Sequence, residues 1–90
     1  MSKSICQIDY KGNKWWWTNT LPRELHREDG PAVEFTDGAK MWYSYGKIHR
    51  LDGPAIEHTD GSKSWYFNHK KIICSSQEEF EKLLRLKAFW

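Results

Sequence analysis

This chain has few of the residues that hold small domains together covalently or mark a membrane or metal protein. It carries two cysteines in 90 residues, too few for the disulfide framework of a secreted miniprotein. Cys6 and Cys74 lie near the two ends of the patterned region, so a bridge is geometrically conceivable. Met1-Ser2-Lys3-Ser4 shows no apolar signal core, so a cytoplasmic location with free, buried thiols is expected. No run approaches the ~18 apolar residues of a membrane span. The net charge of +2 argues against general nucleic-acid binding. His26, His49, His58 and His69 have no paired cysteines at ligand spacing, so no metal site and no cofactor are expected.

Catalytic groups are equally scarce. No Ser or Cys nucleophile sits beside a matching base. Cys74 precedes a helix start that could lower its pKa, but a buried structural thiol is the expectation. Glu34 and Glu57 occupy equivalent positions of a repeat. An acid/base pair needs unequal environments, and copies of one unit tend to provide similar ones. No catalytic residues are expected, and the chain is not read as an enzyme.

Aromatics and a repeat are what the chain does have. Six Trp, four Tyr and four Phe make up 16% of it. A single domain of this size buries only about 60–65% of its unfolded surface, and each buried aromatic removes roughly 150–250 Å² from water. His26-Arg27-Glu28-Asp29-Gly30-Pro31-Ala32 returns as His49-Arg50-Leu51-Asp52-Gly53-Pro54-Ala55. The echo continues: Thr36-Asp37-Gly38-Ala39-Lys40-Met41-Trp42-Tyr43 is answered by Thr59-Asp60-Gly61-Ser62-Lys63-Ser64-Trp65-Tyr66. A partial copy, Gly12-Asn13-Lys14-Trp15-Trp16-Trp17, precedes them. The chain is therefore an array, and any site made by one unit is offered again by the next.

Asp37-Gly38 and Asp60-Gly61 between alternating residues are strong hairpin signals. They join short strands (32–36, 55–59) to longer aromatic ones (39–45, 62–68), and Gly46 turns the chain into 47–49. If each Asp-Gly is a two-residue turn, Val33 pairs with Trp42 and Ile56 with Trp65. A bulged turn would shift the pairing by one. On the first pairing Val33, Trp42, Ile56, Trp65 and Trp16 form one inner face. Glu34, Glu57, Tyr43 and Tyr66 then form a wetter one. Trp15-Trp16-Trp17 cannot all point inward, so an indole either packs under the last segment or walls a binding surface.

That last segment changes period. Ser76-Gln77-Glu78-Glu79 is a capping box, and Phe80, Leu83, Leu84 and Lys87-Ala88 follow helical spacing. A helix over 77–88 laid on the sheet is expected, with Phe89 and Trp90 sealing it or meeting another subunit. The expected architecture is mainly β: an antiparallel hairpin-repeat meander of about seven or eight strands with one C-terminal helix. It forms one domain over 1–90, with repeats at 12–73 and helix at 76–88.

The string His-Arg-x-Asp-Gly-Pro-Ala followed by Asp-Gly-x-Lys-x-Trp-Tyr resembles small repeat proteins of tailed bacteriophages and some bacteria. It is distantly similar to the MORN-type hairpin repeats. The third unit departs, with Lys71-Ile72-Ile73 where Ile-His-Arg would stand. The resemblance marks a family and carries no activity over, but it implies a phage-type protein in the host cytoplasm that disables host machinery. Two readings follow. In the first, the protein sequesters a phosphorylated, nucleotide-derived host defence signal. His26, Arg27, His49 and Arg50 would hold phosphate, while Trp17, Tyr43 and Tyr66 would stack a base. One meander offers little concavity, so this reading expects a homo-oligomer. In the second, an exposed aromatic surface docks on a host protein. A third possibility leaves the arginines without a ligand: Arg27 and Arg50 pair with Asp29 and Asp52 and pin each corner.

Overall fold

The computed structural model describes residues 4–86. Nine strands run in chain order: β1 (Ile5–Ile8), β2 (Lys14–Trp17), β3 (Val33–Glu34), β4 (Lys40–Met41), β5 (Tyr43–Ser44), β6 (Lys47–Ile48), β7 (Ile56–Glu57), β8 (Lys63–Phe67) and β9 (Lys70–Ile72). One helix, α1 (Gln77–Leu86), follows. All pairings are antiparallel. Seven strands form one sheet in the order β1-β2-β3-β4-β7-β8-β9, and β5-β6 stands as a separate two-stranded ribbon. The body is a slab of 39 × 32 × 17 Å. The expected meander and terminal helix are present. β1 extends the hairpin array to Ile5, before the expected start at residue 12, and the aromatic strand of the middle unit is split at Trp42.

The turns explain the register. The Phe35 amide donates to the Ala39 carbonyl, the His58 amide to Ser62 and the Asp9 amide to Asn13. Each pair encloses three residues, the last a glycine at φ 91–99° (Gly12, Gly38, Gly61). This is the three-residue loop closed by a left-handed glycine bulge. It replaces the two-residue turn and shifts pairing by one. Val33 faces Met41, not Trp42, and Ile56 faces Ser64, not Trp65.

The shift also re-sorts the faces. Trp15, Val33, Met41, Ile56 and Ser64 are paired in a row on one face. Lys14, Glu34, Lys40, Glu57 and Lys63 form a row on the other, alternating in sign from strand to strand. Opposite charges directly across an antiparallel pair each contribute about 0.2–1 kcal/mol. Val33 and Trp65 are buried as expected, but on opposite faces, while Trp16, Trp42 and Ile56 are only half-buried. Glu34 and Glu57 lie on the tryptophan face, not with Tyr43 and Tyr66.

The helix seals the last unit. Phe80 is fully buried against Trp65 and Ile72, with Phe67, Cys74, Leu83 and Leu84 packed around them. The Glu79 amide donates to Ser76 Oγ (3.1 Å), and Glu79 Oε1 accepts from the Ser75 amide (2.8 Å), one residue before the expected partner. Lys87, Ala88, Phe89 and Trp90, expected to extend or seal the helix, lie outside the described residues. Both cysteines are free. Cys6 is exposed rather than buried, and Cys74 is half-buried. Burial, and then the charge of Glu79, push the Cys74 thiol above its ordinary pKa, so the helix start does not activate it.

A cleft between two repeated corners

Each His-Arg corner is assembled the same way. Arg27 Nε donates to Asp29 Oδ1 (3.0 Å), and its Nη1 donates to the Pro31 carbonyl and to Glu34 Oε2 (3.1 Å each). Its guanidinium lies 3.9 Å over the Trp16 ring. Arg50 repeats the set on Asp52 (3.0 Å), Pro54 (3.0 Å) and Glu57 (3.4 Å), 3.8 Å over Trp42. A planar fork stacked on an indole and bonded on its edge is what arginine does and lysine cannot. The glycine of Asp-Gly-Pro makes room for it. A Cβ at Gly53 would meet Arg50 Cζ at 2.6 Å, and one at Gly30 would meet Arg27 Cζ at 3.0 Å.

The histidines tie one unit to the next. His26 Nδ1 accepts from the Tyr45 amide (3.1 Å), and His49 Nδ1 accepts from the Asn68 amide (2.9 Å). Both amides belong to tight turns with two successive left-handed residues, Tyr45-Gly46 and Asn68-His69, which leave donors for a side chain to satisfy. An acceptor at Nδ1 requires the neutral ring. Burial holds His49 below the ordinary imidazole pKa. His26 is buried, its ring stacked on Tyr45 at 3.9 Å. Its Nε2 makes no hydrogen bond and lies 3.6 Å from Glu28.

Between the corners lies an open cleft of about 660 Å³. His26, Arg27, Tyr43, His49 and Arg50 line it, so five of the seven expected site residues come together. Trp17 and Tyr66 do not. Trp17 is on β2 beside Gln7 and Arg23, its indole N–H buried without a partner. Tyr66 is on β8, near enough that its charge, after burial, raises the Tyr43 phenol.

No family model matches this chain, no curated protein matches it, and no solved structure matches it.

Each arginine side chain is only 21% exposed, against 85% for Asp29 and 87% for Asp52. What faces solvent is thus the acidic rim of Glu28, Asp29 and Asp52, with Tyr45 and Leu51 exposed beside it. Sequence reasoning missed Glu28, Ser44, Tyr45 and Leu51. One signal was there: Glu28 and Leu51 are the single position at which the two heptads differ, and both line the cleft. Among the described residues no group of three or more His, Cys, Asp or Glu is placed to hold a metal ion. No helix there is long and apolar enough to cross a membrane.

Proposed function

We propose that the protein is a non-catalytic interaction module that docks a polypeptide segment of another protein in the cleft between its two corners. The observation that carries this reading is the state of the arginines. Both are bonded to two carboxylates and a carbonyl, and the open rim is acidic. A phosphorylated nucleotide-like ligand would have to approach Glu28, Asp29 and Asp52. It would also have to displace internal charge-assisted bonds worth about 1.5–3 kcal/mol each. A segment bearing Lys or Arg meets the rim with the favourable sign, and Tyr45 and Leu51 supply apolar contact beside it. One chain provides the concavity, so this reading does not require a homo-oligomer. The resemblance to phage repeat proteins makes host machinery the class of partner to look for.

The test is native mass spectrometry of the protein isolated from the cells that produce it, followed by hydrogen exchange of the complex. A bound polypeptide with slowed exchange across residues 42–52 is expected. A retained nucleotide with no polypeptide would return the reading to phosphate sequestration.

A further inference from the structure

The repeat lets the chain be compared with itself. In the last unit, α1 rests on Trp65, Phe67, Ile72 and Cys74. Gln77 fastens it, accepting from Trp65 Nε1 (2.7 Å) and donating to the Leu51 carbonyl (3.0 Å). Moved back by the repeat length, these five positions are Trp42, Ser44, His49, Leu51 and Glu28. All five line the open cleft. The cleft thus holds the middle unit's counterparts of the residues under α1, with Arg50 stacked on Trp42 where the last unit has Ile73 in its place. The residue one repeat before Gln77 is Pro54, which has no side-chain acceptor to offer Trp42 Nε1.

Resting on the interaction reading above, the geometry points to a basic amphipathic helix of a partner protein as the occupant of this cleft, seated as α1 is seated on Trp65. The substitutions between the two seats set its chemistry. Phe67, Ile72 and Cys74 make an apolar floor, whereas Ser44 and His49 make a polar one, with Glu28, Asp29 and Asp52 at the rim. The occupant therefore keeps a glutamine-like residue for the tryptophan N–H and presents Lys or Arg to the rim. A second copy's α1 does not fit this charge. It carries Glu78, Glu79 and Glu81 against Lys82 and Arg85, an acidic excess facing acidic residues.

The probe is a stapled peptide of residues 76–86, because an unconstrained helix this short is marginal in water. One version has the natural sequence and a second carries Glu78→Lys, Glu79→Lys and Glu81→Lys. A third is the second without the staple and with Lys82→Pro, which prevents the helix. Each is titrated into the whole ¹⁵N-labelled protein and followed by NMR. The basic helix is expected to bind at least about tenfold more tightly than the natural one, shifting the amides of Ser44, His49 and Leu51. Glu28→Lys combined with Leu51→Lys in the protein should abolish that binding while the melt is unchanged. Equal binding by the proline version would overturn the helix and leave the interaction reading standing. Binding by none of the three, or by the natural version equally well, would overturn the basic helix, and the interaction reading would then rest on the native complex alone. Shifts confined to Phe67 and Ile72 would mean that the peptide displaces α1 from its own seat, and would also overturn the proposal.

Discussion

At the scale of single residues, every member of the repeated heptad except its third has a structural task. His satisfies the next turn, Arg stacks on tryptophan and bonds around it, Asp meets the arginine Nε, and Gly leaves room for the guanidinium. The prolyl carbonyl accepts from the arginine, and Ala is fully buried. Gly53→Ala should destabilise by about 1–3 kcal/mol through overpacking, and by more than Gly30→Ala, because its Cβ would sit closer to the guanidinium (2.6 against 3.0 Å). Chemical denaturation of the two variants reads the difference, and equal stabilities would contradict the packing described. His49 adds a pH dependence. Its folded pKa is lowered by burial, so below about pH 6.5 the unfolded chain takes up a proton that the folded chain refuses. The stability it contributes is complete above that pH and is lost as pH falls through the folded value. Asp9 and Asp60, lowered mainly by hydrogen bonds from Trp15 and Ser62, act in a separate window, below the ordinary carboxylate value of 3.8. A denaturation series from pH 7.5 to 5 should therefore be flatter for His49→Gln than for the parent. Parallel curves would show that the Asn68 contact does not depend on the neutral ring.

At the scale of elements, the helix is the stopper of the array. It begins at the position where the proline of a further Asp-Gly-Pro corner would stand, and it buries Trp65, whose indole N–H donates to Gln77. Trp65→Ala should cost about 3–5 kcal/mol, a large share of the stability of a domain this small. Ser76→Ala should cost about 1 kcal/mol through the lost cap. Thermal melts check both, and a Trp65→Ala protein melting with the parent would place the core elsewhere. The element pattern was largely legible because Asp-Gly turns, alternation and a capping box are local signals. The register was not, because Asp-Gly serves both a two-residue turn and a three-residue bulged one. Only the left-handed glycine at the third loop position distinguishes them. That one residue moved Trp42 and Trp65 to the face opposite Val33 and brought Glu34 and Glu57 beneath the arginines.

At the scale of the whole molecule, two locked corners and one helix divide a thin sheet into a filled seat and an open one. Five of the residues expected at the site line the cleft, four of them from the doubled His-Arg motif. Its role was not legible, since an arginine free for phosphate and one already bonded to carboxylates look alike in sequence. The deciding contacts, Arg27 to Glu34 and Arg50 to Glu57, join positions set by the shifted register. If the partner is basic, its affinity should fall as salt rises from 0.05 to about 0.5 M, because the rim charges are exposed and screened. Calorimetry across that range checks it, and salt-independent binding would place the contact elsewhere. That the arginines belong to the fold is the central claim. Its most direct test is the thermal melt of Arg50→Ala. Loss of the stack and the charge-assisted bonds should remove about 2 kcal/mol, lowering Tm by roughly 8–16 °C, with little rescue by Arg50→Lys. An Arg50→Ala protein that melts within about 2 °C of the parent would mean that the guanidinium is held for a ligand and not for the corner.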